Sequence, residues 1–344
     1  MKISAAEAGW GRRLPFHAAA LFLRLMAVMS THVLTPEGDG QTLCRPATQS
    51  ELPAALAIIL GTGGKPASAA HVDEFVQASV YRKIDPARMW VAVAGGHVVW
   101  AALPLVSPGR TMLLLSSAPT DAAIFHPAAR LVDHLCDHFS REDVHLAQVL
   151  IEPEHMDARH FYGQRGFKEI AELIYLQGHV PRNAEPPVFA PPLRLLPYAP
   201  QSHLRFVEAI SKSYRQSLDC PALSGLRDMD DVVAGHQATG DFDPNLWQLL
   251  MENEDPLGVL LLSRIPQTDA MELVYLGLAP QGRGRGLGHL LMRRAIHLVL
   301  ADGRRRLSLA VDSRNVPALK LYLQMGMQRI TARVAMIRDL RPVR

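Results

Sequence analysis

The sequence predicts an α/β chain of two tandem domains of similar build, and three observations lead there. The chain repeats itself: shifted by 160 residues, Ile151-Glu152-Pro153-Glu154-His155 falls over Val311-Asp312-Ser313-Arg314-Asn315, Phe161-Tyr162 over Leu321-Tyr322, and Gly166-Phe167 over Gly326-Met327. A segment with five prolines in twelve residues, 181–192, separates the copies as a stiff linker. Strand-like and helix-like runs alternate within each copy, the pattern of sheets covered by helices.

At 344 residues the chain has room for two domains of ordinary size. Residues 1–40 stand apart. Their apolar stretch from Leu14 to Met29 is broken by Pro15, His17 and Arg24, too short and interrupted for a membrane span. No clean small-residue cleavage site follows it. A disordered extension or a mis-assigned start is expected, with Met26 or Met29 as the alternative initiator. Residues 41–180 form the first domain. It opens on Leu43-Cys44-Arg45-Pro46, a short strand ahead of a helix, and the second domain, 193–344, opens alike on Leu193-Arg194-Leu195-Leu196. Trp90-Val91-Ala92-Val93 then answers Trp247-Gln248-Leu249-Leu250, and Met112-Leu113-Leu114-Leu115 answers Glu272-Leu273-Val274-Tyr275.

The second domain carries the most informative segment. A strand-like run over residues 271–278 leads into Pro280-Gln281-Gly282-Arg283-Gly284-Arg285-Gly286-Leu287-Gly288 and then into a helix-like run with Leu287, Leu290, Leu291, Ala295, Leu298 and Val299 on one face. A strand, a glycine-rich turn and a helix N-terminus make an anion cradle: N–H groups converge, the helix dipole adds positive charge, and glycine lets a phosphate come close. Spacing excludes the dinucleotide fingerprint, because the sixth position is Leu287 or His289 rather than glycine. It excludes the P-loop too, since no Lys follows. The look-alike Gly61-Thr62-Gly63-Gly64-Lys65 lacks the required earlier glycine, ends on Pro66, and reads as an ordinary loop. Arg283, Arg285, Arg293, Arg294 and Arg304 to Arg306 are read as a basic cluster around the cradle, suited to an acidic ligand.

The motif that does fit is Arg-Gly-x-Gly-x-Gly, here Arg283 to Gly288, after a strand and Pro280. It resembles the acetyl-coenzyme-A loop of the GCN5-related N-acetyltransferase (GNAT) superfamily. Downstream, Asn315, Ala318, Leu321-Tyr322 and Gly326-Met327 resemble that superfamily's Asn-x-x-Ala-x-x-Leu-Tyr-x-x-x-Gly-Phe segment, with Met327 in place of Phe. The resemblance covers about residues 193–338. It implies an α+β fold, two tandem GNAT-like domains each with a mixed, mainly antiparallel central sheet flanked by helices. It also implies acetyl-coenzyme A as cosubstrate, held by Leu278, Arg283, Gly284, Arg285, Gly286, Leu287, Gly288 and Asn315, and direct transfer with no metal and no covalent enzyme intermediate. Tyr322 stands where the superfamily often places the acid that protonates the departing thiolate. Glu272 is the candidate base, acting directly or through water, and Tyr275 is a polar neighbour. Residues 276–278 should offer backbone groups to the pantetheine arm, as an added strand does. The tandem layout is similar to that of mycothiol synthase, whose second domain is the active one.

The acceptor side, residues 214–247, holds Tyr214, Asp219, Cys220, Arg227, Asp230, Asp231, His236 and Asp243, enough chemistry to bind an amine or simply a hydrophilic lid. No base is placed near Cys220 by sequence, which argues against a nucleophile. In the first domain the cradle position falls on Ala123-Ile124-Phe125-His126-Pro127-Ala128, without glycine, so that half is expected to have lost the cofactor, with Tyr162 a structural counterpart of Tyr322.

Three functions are compatible with these residues: an N-acetyltransferase for a small primary amine, a non-catalytic coenzyme-A-binding sensor or scaffold, and an Arg-Gly nucleic-acid binder. The net charge of +3 and the single short motif disfavour the third. Three cysteines without metal-ligand or disulfide spacing suggest a reducing, cytoplasmic setting. The expected partners are a small-molecule amine and no nucleic acid or membrane, in a monomer or homodimer.

Overall fold

The computed structural model describes residues 42–61, 65–119 and 121–341. The N-terminal extension and residues 62–64 of the glycine-rich look-alike loop lie outside the described residues.

The first half runs β1 (Leu43–Pro46), α1 (Leu52–Ile59), α2 (Ala69–Tyr81), β2 (Trp90–Ala94), β3 (His97–Ser107), β4 (Thr111–Leu115), α3 (Ala122–Arg141), β5 (Leu146–Ile151), α4 (Met156–Gln164) and β6 (Lys168–His179). The second half repeats that order as β7 (Leu193–Pro197), α5 (His203–Tyr214), α6 (Met229–Gln237), β8 (Trp247–Glu252), β9 (Asp255–Arg264), β10 (Ala270–Leu278), α7 (Leu287–Ala301), β11 (Arg306–Asp312), α8 (Val316–Gln324) and β12 (Gln328–Asp339). The repeat is strictest at the end, where α4 and β6 map onto α8 and β12 at the same 160-residue offset that the sequence displays.

All strands join one 12-stranded sheet in the order β1-β2-β3-β4-β5-β12-β6-β11-β10-β9-β8-β7. Only β4–β5 and β10–β11 pair in parallel. The last strand of each half crosses over: β12 inserts between β5 and β6, and β6 inserts between β12 and β11. The sequence reading gives each domain a sheet of its own, and the structure differs here. The physical reason lies in the cores. Ile174, Leu176 and Val180 are buried with Leu273, Leu291 and Leu309 of the second half. Val334 and Met336 are buried with Trp100, Leu131 and Phe161 of the first. Each exchanged strand thus fills the partner half's core, and its backbone donors and acceptors find partners that an open edge would leave unpaired.

Helices cover both faces. In the second half α7 and α8 lie over one core. On the other, Phe206 of α5 and Val232 of α6 pack on Trp247, Leu249 and Val259. No described helix is long and apolar enough to cross a membrane.

Candidate active site

The site begins where two strands part. β10 and β11 pair only over Ala270↔Arg306, Met271↔Leu307 and Glu272↔Ser308. Beyond Glu272, β10 stays paired with β9 as far as Leu278↔Gly258, and β11 stays with β6 as far as Asp312↔Leu173. The register of β10 slips between Leu273 and Tyr275, so Val274 is an extra residue that bends the strand. A wedge therefore opens between β10 and β11, and along residues 276–278 the edge of β10 that faces it has no strand partner among the described residues.

The glycine loop lies at the mouth of this wedge. After the short turn Pro280–Gly282, Gly284 has φ 73° and Gly286 φ 75°. Both lie in the left-handed region, where glycine is at home and a side chain is strained. Gly286 is the N-cap of α7, and no side chain caps the helix. The first helical bond runs from Leu290 N–H to Gly286 O at 3.1 Å, so the N–H groups of Leu287, Gly288 and His289 come before any helical acceptor. Gly288 keeps the first turn close to its neighbour, since a Cβ there would stand 3.3 Å from Leu321 Cδ2. The side chain of Leu287 is buried in the core, which leaves only its backbone for a ligand.

The arginines have other tasks than the sequence suggested. Arg283 donates to the carbonyl oxygens of Ser213 (2.8 Å), Arg215 (2.9 Å), Gln216 (2.9 Å) and Leu278 (3.1 Å), so its guanidinium is a strut between the loop, β10 and the end of α5. Arg285 pairs with Glu252. Arg304 and Arg306 do not surround the cradle. They follow the far end of α7, about 22 Å away at 1.5 Å per residue, and pair with Asp302 and Asp269. What this loop can offer an anion is thus its backbone rather than a basic cluster.

The sequence's other candidates separate as well. Tyr322 on α8 is 6% exposed, its ring inside the core beneath α7, and its hydroxyl has no hydrogen-bond partner among the described residues. Burial, and secondarily the charge of Asp219, raises its pKa, so it stays protonated at neutral pH. Asn315 is the N-cap of α8, and its Oδ1 accepts from Ala318 N–H at 3.4 Å. Glu272 is the last residue at the closed end of the wedge. Its carboxylate acts on Arg82 of the first half, whose guanidinium burial pushes down to about 10.

On the acceptor side, Tyr275 bonds Ser213 Oγ through its hydroxyl at 2.8 Å and stacks on the His236 ring at 5.5 Å between centroids. Burial, with Arg227, pushes His236 down to about 4, so the imidazole is neutral, and its Nε2 is enclosed without a protein partner. Tyr214 packs edge-on to Tyr275 at 5.9 Å. Arg227 donates to Asp231 O at 3.0 Å and lies over Gly109 of the first half. Burial pushes the Cys220 thiol up to about 12, so no thiolate nucleophile forms there. Three candidates belong elsewhere: Asp230 faces His203, Asp231 faces Arg110, and Asp243 faces Arg264. The sequence reading missed Arg82 and Tyr175. They come from the first half, with nothing in their local pattern to mark them, yet both sense the charge of Glu272.

The first half lacks this arrangement. Its α3 is capped by Asp121, whose carboxylate accepts from Ala123 N–H at 2.9 Å and sets a negative charge where the second half has an open N-terminus. Tyr162, the counterpart of Tyr322, is bonded to Ser116 Oγ at 2.6 Å. Tyr162→Phe should therefore cost about 1 kcal/mol of stability through the lost hydrogen bond and leave acetyl transfer unchanged, as read from the urea midpoint and from turnover. Among the described residues, no group of three His, Cys, Asp or Glu is placed to hold a metal ion.

Comparison with known proteins bears on the same segment. Residues 212–327 match the model of the acetyltransferase (GNAT) family. Mycothiol acetyltransferase of Beutenbergia cavernae is 38% identical over 88 residues, 25% of this chain and 29% of that protein. The enzyme of the same name from Gordonia bronchialis is 33% identical over 107 residues, 30% of this chain and 35% of that protein. The chain thus matches about a third of the length of these relatives. Among solved structures, a GCN5-related N-acetyltransferase from Sphaerobacter thermophilus superposes with a TM-score of 0.56 at 16% identity, covering 88% of this chain and 96% of that one. A GCN5-related glucosamine N-acetyltransferase region of a fungal GH3 β-N-acetylglucosaminidase does so at 0.55 and 14% identity, covering 87% and 38%. At those identities the likeness concerns the fold.

Proposed function

We propose that this chain, a tandem member of the GNAT superfamily, moves an acetyl group from acetyl-coenzyme A to the primary amine of a small molecule, and does so in its second half. The observation that carries this reading is the contrast between the two helix N-termini. That of α7 is uncapped, glycine-lined and set at the mouth of a split sheet, whereas that of α3 is closed by Asp121. A pyrophosphate suits the former, because unpaired N–H groups and the helix dipole both favour negative charge.

When bound, acetyl-coenzyme A supplies an activated acetyl thioester. The N–H groups of Leu287, Gly288 and His289 hold its pyrophosphate, and the free edge of β10 over residues 276–278 pairs with the pantetheine arm. An amine at neutral pH must lose a proton before it attacks. Glu272, at the closed end of the wedge, draws in the ammonium group and takes that proton directly or through water. Tyr322 gives its hydroxyl proton to the departing thiolate. The first half contributes Arg82 and Tyr175 beside Glu272 and has no phosphate cradle of its own.

Two measurements test this on the full chain. Calorimetry should give one equivalent of acetyl-coenzyme A per chain; two equivalents would show that the first half also binds. Thiol release from acetyl-coenzyme A, screened against glucosamine, spermidine, tryptamine and amino-acid amides, should show amine-dependent turnover. Binding without turnover across such a panel would favour a coenzyme-A sensor.

A further inference from the structure

One carboxylate remains without a task. Asp219 stands on the loop between α5 and α6, and the structure spends a good deal on fixing it. Asp312 N–H donates to Asp219 Oδ1 at 3.0 Å, while Cys220 N–H donates to Asp312 Oδ2 at 3.1 Å. These two reciprocal bonds bracket the loop to the end of β11. Cys220 adopts φ 43° to make its bond, a left-handed conformation that non-glycine residues rarely accept. Asp312 is fully buried and further held by Arg314.

The bracket sets this carboxylate beside the N-terminus of α8, the helix that carries Tyr322. Long side chains on a helix lean toward its N-terminus, which is the end of α8 at which the bracket holds Asp219. Of the two candidate carboxylates, Asp219 is the one whose charge acts on Tyr322, whereas that of Glu272 acts on Arg82, His236 and Tyr175. The titratable groups that feel the charge of Asp219 are Asp312 from β11, Tyr322 from α8, Tyr275 from β10, Tyr214 from α5 and its neighbour Cys220.

We propose that Asp219 is a second proton-transfer residue of this site, taking the proton that the acceptor nitrogen sheds on bonding to the acetyl carbon and passing it through water to Tyr322. The inference rests on the acetyltransferase reading above and deepens it. The proton count requires two exits. An ammonium group loses one proton before attack, through Glu272 to solvent. After attack the nitrogen still carries one proton too many, and Asp219 takes it. As the carbon–sulfur bond breaks, Tyr322 protonates the sulfur, and Asp219 then returns its proton to the Tyr322 oxygen through an intervening water, since the two side chains do not bond directly. The products are the amide, the free thiol and one proton released to solvent, with both side chains restored. The order is physically favoured. Ionised Asp219 makes Tyr322 a weaker acid, and protonated Asp219 no longer does. The amine's own proton thus primes Tyr322 when the thiolate leaves.

Asp219→Asn is a clean test, since the amide oxygen still accepts from Asp312 N–H and the bracket survives. With the best amine of the panel, turnover should fall about 10²-fold, the usual scale of general acid–base catalysis, while acetyl-coenzyme A affinity stays within twofold. The double variant Asp219→Asn/Tyr322→Phe should be no slower than Tyr322→Phe alone, because residues acting in one relay lose their effect together. In the unliganded protein, the Asp219 carboxyl carbon should titrate by NMR above the ordinary aspartate range near 4, since burial raises it. Multiplying losses in the double variant, full activity of Asp219→Asn, or an ordinary titration each overturns the relay. A wild-type chain that acetylates no amine removes the acetyltransferase reading itself and the relay with it. Turnover with multiplying losses removes the relay alone.

Discussion

Gly286→Val should weaken acetyl-coenzyme A binding tenfold or more, at least about 1.4 kcal/mol, with little change in the rest of the fold. Position 286 has φ 75° and ψ −1°, a conformation that a β-branched residue resists strongly. No atom stands within 4 Å of a Cβ built there, so the added side chain meets no neighbour inside the protein. Its cost arises in two other ways. Relief of the backbone strain turns the peptide and swings the N–H groups of the first turn of α7 away from a common target. The branched side chain also projects into the open space in front of the helix, where a pyrophosphate needs to approach. Gly286→Ala separates the two, because it keeps most of the strain and little of the bulk and should lose less affinity than valine. Calorimetry on both variants, with circular dichroism to establish that each is folded, decides the matter. Unchanged affinity in a folded Gly286→Val protein would place the phosphates elsewhere.

That position also shows what a sequence can disclose. A glycine that needs positive φ is written in the chain itself, as is the repeat, because α8 and β12 must occupy the same places in the second half that α4 and β6 occupy in the first. Pairing partners are not written that way. β6 and β12 carry ordinary strand patterns, and nothing local says that each crosses into the other half; the choice follows from which core each apolar face completes. Charge was equally misleading when read in one dimension. Arg304 and Arg306 follow the cradle closely in sequence and lie a whole helix away from it. Arg283, inside the motif, spends its guanidinium on four carbonyl groups. Asp219 stood among eight polar residues of one segment, 214–247, with nothing to single it out. Only the bracket with Asp312 and Cys220 does so.

Tyr322→Phe should lower turnover about 10²-fold, the scale on which a positioned general acid contributes, while acetyl-coenzyme A affinity stays near that of the wild type. The substitution keeps the ring, which is buried in the same core as Leu273, Leu287, Leu291 and Leu309, and removes only the hydroxyl. Because that hydroxyl has no partner among the described residues, its loss breaks no hydrogen bond there, and stability should hold. Tyr162→Phe should show the opposite pattern, since Tyr162 spends its hydroxyl on Ser116 and has no cradle beside it. The pH profile gives a further reading. Burial raises the Tyr322 pKa, so the phenol is protonated across the working range and cannot account for a limb of the profile below pH 9 or so. Any acidic limb comes from a group that must be ionised to accept a proton, and it should persist in Tyr322→Phe at reduced height. If Tyr322→Phe keeps full activity, water protonates the thiolate and Tyr322 is a packing residue. If it loses activity together with stability, the ring's place in the core accounts for the effect and the acid role falls.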